Sequence, residues 1–379
     1  MSWVAIRMLL GDRVKYFGLV FGVAFATLLM AQQASLFAGL VRRAASTAYD
    51  VRDANLWVMD SRTEQEDSSE PIPATALQRV RGVPGVAWAV PLLRANTTIK
   101  TADGIVKAGR LIGVDDATFI GLPQQFILGS PDALHTANAV VLDKGGYEFI
   151  WPGQPYRLGR SFEMNDKRAV VVGIVDARKA FSTELIIYSK YNDALDFTPG
   201  GRNRLTYVIA RTADGLAPEK VAEAIGAATG LRARSSVQFR QDSFTYIINT
   251  SGITFSFVVT ISLGFIVGVA IVGLTFSLFV RDNIKQFGAL KAIGVGNWAL
   301  LRMVVLQAAW VGAIGYCIGI GMAALFFSST RNVNSLSVSH MPWQIMLGTA
   351  AAMAVILLLS GFGSLRKVLG TDPAIVFRG

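Results

Sequence analysis

Residues 281–302 read RDNIKQFGALKAIGVGNWALLR, a short basic segment with three glycines that separates two long stretches without charge. Runs without any Asp, Glu, Lys, Arg or His occupy 16–40, 252–280, 303–328 and 343–365. Each run exceeds the ~20 residues that an α-helix needs to cross the hydrocarbon core. Because lipid offers the backbone no hydrogen-bond partners, such runs must be helices. The sequence therefore predicts four transmembrane helices.

The composition agrees with this interpretation. The chain is 52% hydrophobic and only 16% charged, whereas an average soluble domain has roughly 25% charged residues. The single cysteine excludes an internal disulfide. The first run is longer than the roughly 7–15 apolar residues of a secretory signal, so we interpret it as an uncleaved membrane anchor.

Residues 41–251, between the first two runs, have a different character. Alternating apolar segments predict strands at 92–100, 168–175, 184–189 and 205–211. Two segments predict helices, 73–82 and 217–230, and the second begins close to Pro218. We therefore expect a large α+β domain inserted into a membrane α-helical protein. Its middle, about 116–198, is rich in Gly, Pro and aromatic residues and is interpreted as a separate lobe. Residues 243–252 lack helix breakers until Gly252, so the second transmembrane helix is expected to begin as a stalk from about 243.

Basic residues are distributed unevenly among the short segments. The N-terminal segment 1–15, the loop 281–302 and the tail 366–379 together contain ten Lys or Arg and three Asp, whereas the loop 329–342 contains only Arg331. The positive-inside rule therefore predicts that both termini and 281–302 are cytoplasmic, and that 41–251 and 329–342 are extracytoplasmic. Arg42 and Arg43 are a local exception. The net charge of +10 is thus mainly a topology signal, and we expect no nucleic-acid partner.

The predicted spans contain no ionisable side chain, although such groups usually mark the relays of ion-driven transporters. A transporter would therefore need another source of energy, and four helices suggest a dimer. Glycines at four-residue spacing predict close helix packing. They are Gly18 and Gly22, Gly264 and Gly268, and Gly315 and Gly319.

The loop and the tail resemble a known family. RDNIKQFGALKAIGVGNWALLRMVVLQ (281–307) and RKVLGTDPAIVFRG (366–379) are similar to the corresponding segments of the FtsX/MacB/LolC superfamily of ABC transporter permeases, most closely the DevC-type subunits. In place of the acidic residue usual after the basic start of the loop, this chain has Asn283 and Ile284.

The resemblance implies a homodimeric permease of the type VII, mechanotransmission class. A separate cytoplasmic ATPase would use ATP and Mg²⁺, and this chain would bind no cofactor. Its sequence contains no G-x-x-x-x-G-K-[ST] motif. The 1–15 segment would be amphipathic, and the inserted domain would resemble a porter, about 45–115 and 199–240, with a sabre-like lobe at 116–198. The residues implied to contact the ATPase are Gln286, Phe287, Gly288, Leu290, Lys291 and Gly294.

No catalytic or metal site is predicted from the residues themselves. The two histidines, His135 and His340, lie in different segments, and no G-x-S-x-G motif is present. The acidic stretch EQEDSSEP (64–71) is interpreted as an exposed loop, with the adjacent Glu66 and Asp67 solvated. We therefore expect a non-enzymatic chain.

Two classes of function remain. One is an export permease of the inner membrane, with contacts to membrane lipids, a periplasmic adaptor protein and an outer-membrane channel. The other is a signalling scaffold that activates an extracytoplasmic hydrolase, as in some superfamily members. Lipoprotein release is a further variant of transport. The size of the inserted domain favours export.

Overall fold

The computed structural model describes residues 2–101, 103–178, 180, 183, 185–199, 204–250, 252–330 and 341–369, with only the backbone for Ser2, Arg204 and 362–369. The chain divides into two units, a membrane unit, Met1–Gly39 with Gly252–Gly379, and an inserted domain, Leu40–Ser251. Most of the predicted loop 329–342, with His340, and the TDPAIVFRG part of the predicted tail lie outside the described residues.

The elements alternate between helices and strands in the inserted domain and are helical elsewhere. The helices are α1 (Ser2–Gly11), α2 (Arg13–Arg43), α3 (Ser46–Asp50), α4 (Ala76–Arg81), α5 (Lys144–Ile150), α6 (Tyr191–Phe197), α7 (Pro218–Thr229), α8 (Ser236–Thr250), α9 (Gly252–Asp282), α10 (Ile284–Ala292), α11 (Asn297–Ser329) and α12 (Trp343–Leu369). The strands are β1 (Leu56–Met59), β2 (Ile72–Pro73), β3 (Val86–Lys100), β4 (Val106–Val114), β5 (Phe126–Gly129), β6 (Ala139–Asp143), β7 (Ser161–Met164), β8 (Lys167–Val175), β9 (Ile186–Lys190), β10 (Arg204–Leu205), β11 (Tyr207–Thr212) and β12 (Arg232–Ser235).

Within the described residues, four helices are long and apolar enough to cross a membrane: α2, α9, α11 and α12. The predicted fold class, four transmembrane helices with a large inserted domain of helices and strands, is confirmed. The helices extend past the charge-free runs, since α2 already begins at Arg13 and α11 at Asn297. A helix of 31 residues, such as α2 or α9, is about 47 Å long, whereas the hydrocarbon core is about 30 Å thick. The absence of charge therefore marks the part of each helix that lipid can surround, and not its ends.

In the described part of the membrane unit, α1, α2, α9, α10, α11 and α12 all contribute to one buried apolar cluster. Its members include Leu9, Val23, Phe276, Phe287, Val304 and Ile356. The predicted stalk from about 243 lies in the last part of α8, which is described to Thr250, and α9 is described from Gly252, while Ser251 lies outside the described residues.

The inserted domain is built on a continuous ladder of strands in the order β12-β1-β11-β3-β4-β9-β6-β8-β5, with β7 paired to β3 and β8. The fifteen-residue strand β3 pairs through its first half with β11 and through its second half with β4. The strands β4 and β9 run parallel, with Arg110 opposite Ile186.

One buried cluster extends across the predicted lobe boundary between 115 and 116. Leu93 and Leu111, which precede it, share one buried cluster with residues such as Leu142 and Ile187 of the lobe. The lobe therefore includes β4 and the second half of β3. Hydropathy did not reveal this because a long strand that serves two cores has no break in its sequence.

Most of the local predictions in this domain are confirmed. The strand predictions correspond to the second half of β3 and to β8, β9, β10 and β11, and the helix 217–230 is α7, which begins at Pro218. Gly230 ends α7 with a φ of 69°, a left-handed conformation that glycine adopts without strain. The helix predicted at 73–82 is shorter, because Ile72 and Pro73 form β2.

Candidate functional site

The loop between α9 and α11 contains the short helix α10. The turn before it is organised by Asn283, whose side-chain amide donates a 2.8 Å hydrogen bond to the carbonyl of Phe279. The carbonyl of Asn283 accepts the backbone N–H of Phe287. The helix ends before Gly294, which has a φ of 95° and so adopts a conformation that disfavours other residues. These two turns fix α10 between the ends of two membrane helices.

Two of the six residues predicted to contact an ATPase are buried in the structure. Phe287 is 1% exposed and belongs to the same buried cluster as Phe279 and Leu300, and Gly288 is also buried. Phe287 therefore anchors α10 in the membrane unit and offers no surface to a partner. The sequence predicted two opposed apolar arcs on this helix but did not indicate which arc the bundle would cover.

The exposed surface of this loop includes Lys285, Gln286 and Gly294, while Leu290 and Lys291 are half-buried. Two large apolar residues that the sequence reasoning did not select are also exposed, Ile293 (81%) and Trp298 (70%). Their positions on either side of Gly294 and Gly296 were the available signal, because bulky side chains at a glycine turn between two helices have little core to enter. We call Lys285, Gln286, Ile293 and Trp298 the loop surface.

Helix α1 lies beside this loop within the membrane unit. A cleft of about 540 Å³ is lined on one side by Trp3, Arg7 and Met8 of α1 and on the other by Asp282, Asn283 and Gln286. The guanidinium of Arg7 lies 4.2 Å from the centre of the Trp3 ring, a cation–π contact. The cleft thus has both an aromatic and a polar wall.

Two polar contacts hold α1 and α2 in place. The buried side-chain amide of Gln307 in α11 donates a 2.8 Å hydrogen bond to the carbonyl of Ala5. The ammonium of Lys15 forms ion pairs with Asp12 and with Asp282, the latter at 2.6 Å. The hydrogen bond from Lys15 lowers the pKa of Asp12.

The glycine pairs predicted to pack helices lie against neighbouring helices of the same chain. A Cβ atom at Gly22 would lie 2.7 Å from a methyl carbon of Ile271 in α9, and one at Gly268 would lie 2.8 Å from Cβ of Ala26 in α2. At Gly319 it would lie 2.6 Å from the carbonyl oxygen of Ala24. Equivalent atoms at Gly315 would meet Val23 at 2.6 Å, whereas Gly18 and Gly264 have ordinary clearances of 3.5 Å. Helix α2 is thus approached closely by both α9 and α11.

The acidic stretch 64–71 is only in part the exposed loop that the sequence predicted, because Glu66 within it is buried. Glu66, in the short 3-10 helix Glu66–Ser68, is 1% exposed, and so is Arg110 of β4, whose guanidinium lies 3.4 Å from the Glu66 carboxylate. Asp67 pairs with the same guanidinium and with Arg94 of β3, the latter at 2.6 Å. Burial raises the pKa of Glu66 and lowers that of Arg110. We call Glu66, Asp67, Arg94 and Arg110 the buried charge network.

Among the residues that the structure describes, no group of three or more His, Cys, Asp or Glu side chains could hold a metal ion.

Two family models match the chain and together cover most of it. The family model for the FtsX-like permease C-terminal region matches residues 258–373, and that for the MacB-like periplasmic core domain matches residues 16–228, more than half of the chain. The chain belongs to the FtsX/MacB family of ABC transporter permeases. The predicted resemblance to this superfamily of ABC transporter permeases is therefore confirmed. Since such permeases are the membrane subunits of ABC transporters, the family implies a partner ATPase.

The chain is also similar to parts of several known proteins. ABC transporter permeases of Mycobacterium bovis and Mycobacterium tuberculosis are 30% identical over 114 residues, which are 30% of this chain and 31% of theirs. The match thus spans about a third of the length of these relatives. The periplasmic region of MacB from Actinobacillus actinomycetemcomitans aligns with 15% identity and a TM-score of 0.40, over 54% of this chain and 97% of that one. The extracellular domain of the ABC-type transporter YknZ from Gram-positive bacteria aligns with 16% identity and a TM-score of 0.35, over 48% and 98%.

Proposed function

We propose that this permease is the non-catalytic subunit of an export system, in which it transmits ATP-driven movement from a separate ATPase to the inserted domain. The observation that carries the proposal is the construction of α10. Phe287 anchors this helix in the bundle, while Lys285, Gln286 and Ile293 remain exposed. A helix that is fixed on one side and open on the other can receive a partner and pass its displacement to α9.

Chain connectivity supports this route of transmission. The helix α9 is joined at one end to α10 through Asn283, and at the other end Ser251 alone separates it from α8 of the inserted domain. The first span, α2, is followed closely by α3 of the same domain. A push on α10 therefore has a covalent, largely helical route to the inserted domain.

The remaining parts of the proposal concern location and partners. The basic residues favour cytoplasmic termini and a cytoplasmic α10 in the inner membrane. We propose a homodimer that binds membrane lipids and a pair of cytoplasmic ATPase subunits, in which ATP and Mg²⁺ are held by the ATPase. A periplasmic adaptor and an outer-membrane channel would complete a DevC-type exporter, which is supported by the size of the inserted domain. We also propose that Leu290 and Lys291, which are half-buried, lie at the edge of the ATPase contact.

The test uses the loop surface. In Gln286→Ala/Ile293→Ala, co-purification of the ATPase with the full-length permease should fall at least fivefold, and the permease should no longer alter the rate of ATP hydrolysis. The matched control is Gln344→Ala/Leu347→Ala, which removes the same two kinds of exposed side chain from the start of α12. Equal ATPase recovery from both variants would reject the role of α10.

A further inference from the structure

The buried charge network joins elements that lie far apart in the chain. The backbone N–H groups of Thr47 and Ala48, in the first turn of α3, donate to the Glu66 carboxylate at 3.1–3.3 Å. The N–H of Glu66 donates a 3.3 Å hydrogen bond to the hydroxyl of Ser243 in α8. The helix α3 comes shortly after the first span and α8 directly before the second. Both segments that connect the inserted domain to the spans therefore meet at Glu66.

The other side of the network belongs to the sheet. Arg110 in β4 lies against both Glu66 and Asp67, and Arg94 in β3 pairs with Asp67. The strands β3 and β4 are the pair through which the ladder continues from β11 to β9. The network thus connects α3 and α8 to the strands that carry the lobe.

Aromatic packing supports the same arrangement. The hydroxyl of Tyr207 in β11 donates a 3.0 Å hydrogen bond to the backbone carbonyl of Glu66. The rings of Tyr207 and Trp57 form a T-shaped pair, and Trp57 stacks on Phe239 of α8 with ring centres 5.3 Å apart. The 3-10 helix is therefore held from the side of the sheet as well as from the helices.

A buried ion pair is an inefficient way to stabilise a domain. Replacing such a pair by apolar residues of similar size is often neutral or stabilising, because the charges must be taken out of water. What directional, charged hydrogen bonds do supply is a defined geometry, since two carboxylates here take donors from several elements at once. The network is therefore better suited to fixing the relative positions of α3, β3 and β4 than to stabilising the domain.

We propose that Glu66 and Arg110 are positioning residues that link α3 and α8 to β3 and β4, so that displacement of these helices moves the lobe. The inference rests on the proposed function, because it supplies the step by which movement that leaves the spans reaches the sheet. Glu66 is the point where the two connecting segments converge, and Arg110 passes their displacement to β4.

The experiment uses the full-length permease with its ATPase in lipid nanodiscs. Amide hydrogen exchange is measured by mass spectrometry without nucleotide and with ATP and vanadate. The test variant is Glu66→Gln/Arg110→Met, which removes one charge of each sign and leaves the Asp67–Arg94 pair in place. The control is Asp60→Asn, which breaks the exposed Arg62–Asp60 pair of the same domain.

In the wild-type complex and in Asp60→Asn, nucleotide should change the rate of amide hydrogen exchange in α3 and α8 and also in β4 and β9. In the test variant the rate of ATP hydrolysis and the change in α3 and α8 should stay within twofold of wild type, while the change in β4 and β9 should fall at least threefold. A merely structural role would not separate these readouts. An unchanged response in β4 and β9 would overturn the inference.

If the double variant does not fold correctly, amide hydrogen exchange will be rapid throughout the inserted domain without nucleotide. A second variant keeps the test decisive in that case. Glu66→Asp retains the charge and shortens the side chain by one methylene, so it should weaken the response of β4 and β9 while ATP hydrolysis continues. A full wild-type response in this variant would also overturn the inference. If the wild-type complex hydrolyses ATP and no part of the inserted domain responds, the proposed function fails together with the inference, and the two failures are thus distinguished.

Discussion

The ammonium of Lys15 lies 2.6 Å from the carboxylate of Asp282, and this ion pair joins the first turn of α2 to the last turn of α9. Asp12 pairs with the same ammonium. One cation therefore holds together the ends of two spans next to α10. Both partners are partly accessible to water, which limits what the pair contributes to stability.

The Lys15–Asp282 pair should contribute little by itself. In a double-mutant cycle with Lys15→Met and Asp282→Asn, thermal unfolding in detergent should give a small coupling free energy, because exposed ion pairs are screened by water and salt. The coupling should shrink further in 1 M NaCl. A large coupling that salt does not change would contradict this explanation, since it is typical of a pair buried away from water.

The anchoring of α10 can be measured directly. Phe287→Ala should lower the stability of the membrane unit by about 3 kcal/mol, because it removes a buried aromatic ring and leaves a cavity. Ile293→Ala in the adjoining turn is the control, because its side chain is 81% exposed, and it should change stability by less than about 0.5 kcal/mol. Thermal unfolding of both variants in the same detergent is the measurement. Equal losses would mean that Phe287 does not anchor the helix.

The close packing of α11 against α2 can be tested with a matched pair of glycine substitutions in α11. An added methyl at Gly319 would lie 2.6 Å from the carbonyl oxygen of Ala24, whereas a methyl at Gly321 would meet nothing within 4 Å. Gly319→Ala should therefore cost about 1–3 kcal/mol, the usual range for overpacking. Gly321→Ala should leave stability unchanged or raise it by up to about 1 kcal/mol, since alanine is the better helix former. Resistance to unfolding in SDS titrations would rank the variants, and the reverse order would reject the packing.

A pH dependence follows from Asp50 in α3. Burial raises its pKa from 3.8 to about 6, although its carboxylate accepts a 2.9 Å hydrogen bond from the N–H of Arg178. Between these pKa values the folded state binds the proton and the unfolded state does not, so the contribution of Asp50 to stability is fully present below about pH 4 and is lost as the pH rises through about 6. Since one pKa unit is worth about 1.4 kcal/mol, the loss is at most about 3 kcal/mol.

Asp50→Asn should remove that part of the pH dependence, so its stability relative to wild type should increase between pH 4.5 and pH 7.5. Asp60 is the control of opposite sign, because the hydrogen bonds from Arg62 lower its pKa. The stability of Asp60→Asn relative to wild type should not increase over this range. Unfolding of the full-length permease in detergent across this pH range is the measurement, and identical profiles for wild type and Asp50→Asn would refute the assignment.

The sidedness of the chain can be tested by labelling. Cys317 is the single cysteine and is exposed on α11, so Cys317→Ser gives a background without thiols. In that background, Glu219→Cys in α7 should react with an impermeant maleimide in spheroplasts, whereas Lys285→Cys should react only after the membrane is permeabilised. Both side chains are exposed, so access to the reagent decides the result. Labelling of the two positions with the opposite pattern would reverse the topology.

The sequence was sufficient to predict those features that depend only on neighbouring residues in the chain. The four spans follow from the cost of charge and unpaired backbone in lipid, and the ends of α7 follow from the conformations of Pro218 and Gly230. The similarity of 281–307 to a family of permeases lies in contiguous residues, so it too can be recognised without knowledge of the fold.

The sequence did not predict which side chains are buried where burial depends on partners that are distant in the chain. Glu66 is polar and lies in a stretch of acids, and its burial requires Arg110, 44 residues away, and Ser243, 177 residues away. Phe287 lies on one of two similar arcs, and only the packed bundle determines which arc is covered. Such pairings have no signature in composition or periodicity.

The continuity of β3 restricts how the lobe can be exchanged between relatives. A chimaera joined at residue 115 would take β9 from one parent and its partner β4 from the other, and mismatched partners would leave edge strands open to aggregation. A graft has to begin inside β3, near Leu93, where the pairing changes from β11 to β4. The unit of exchange is thus longer than residues 116–198 by the whole of β4 and the second half of β3.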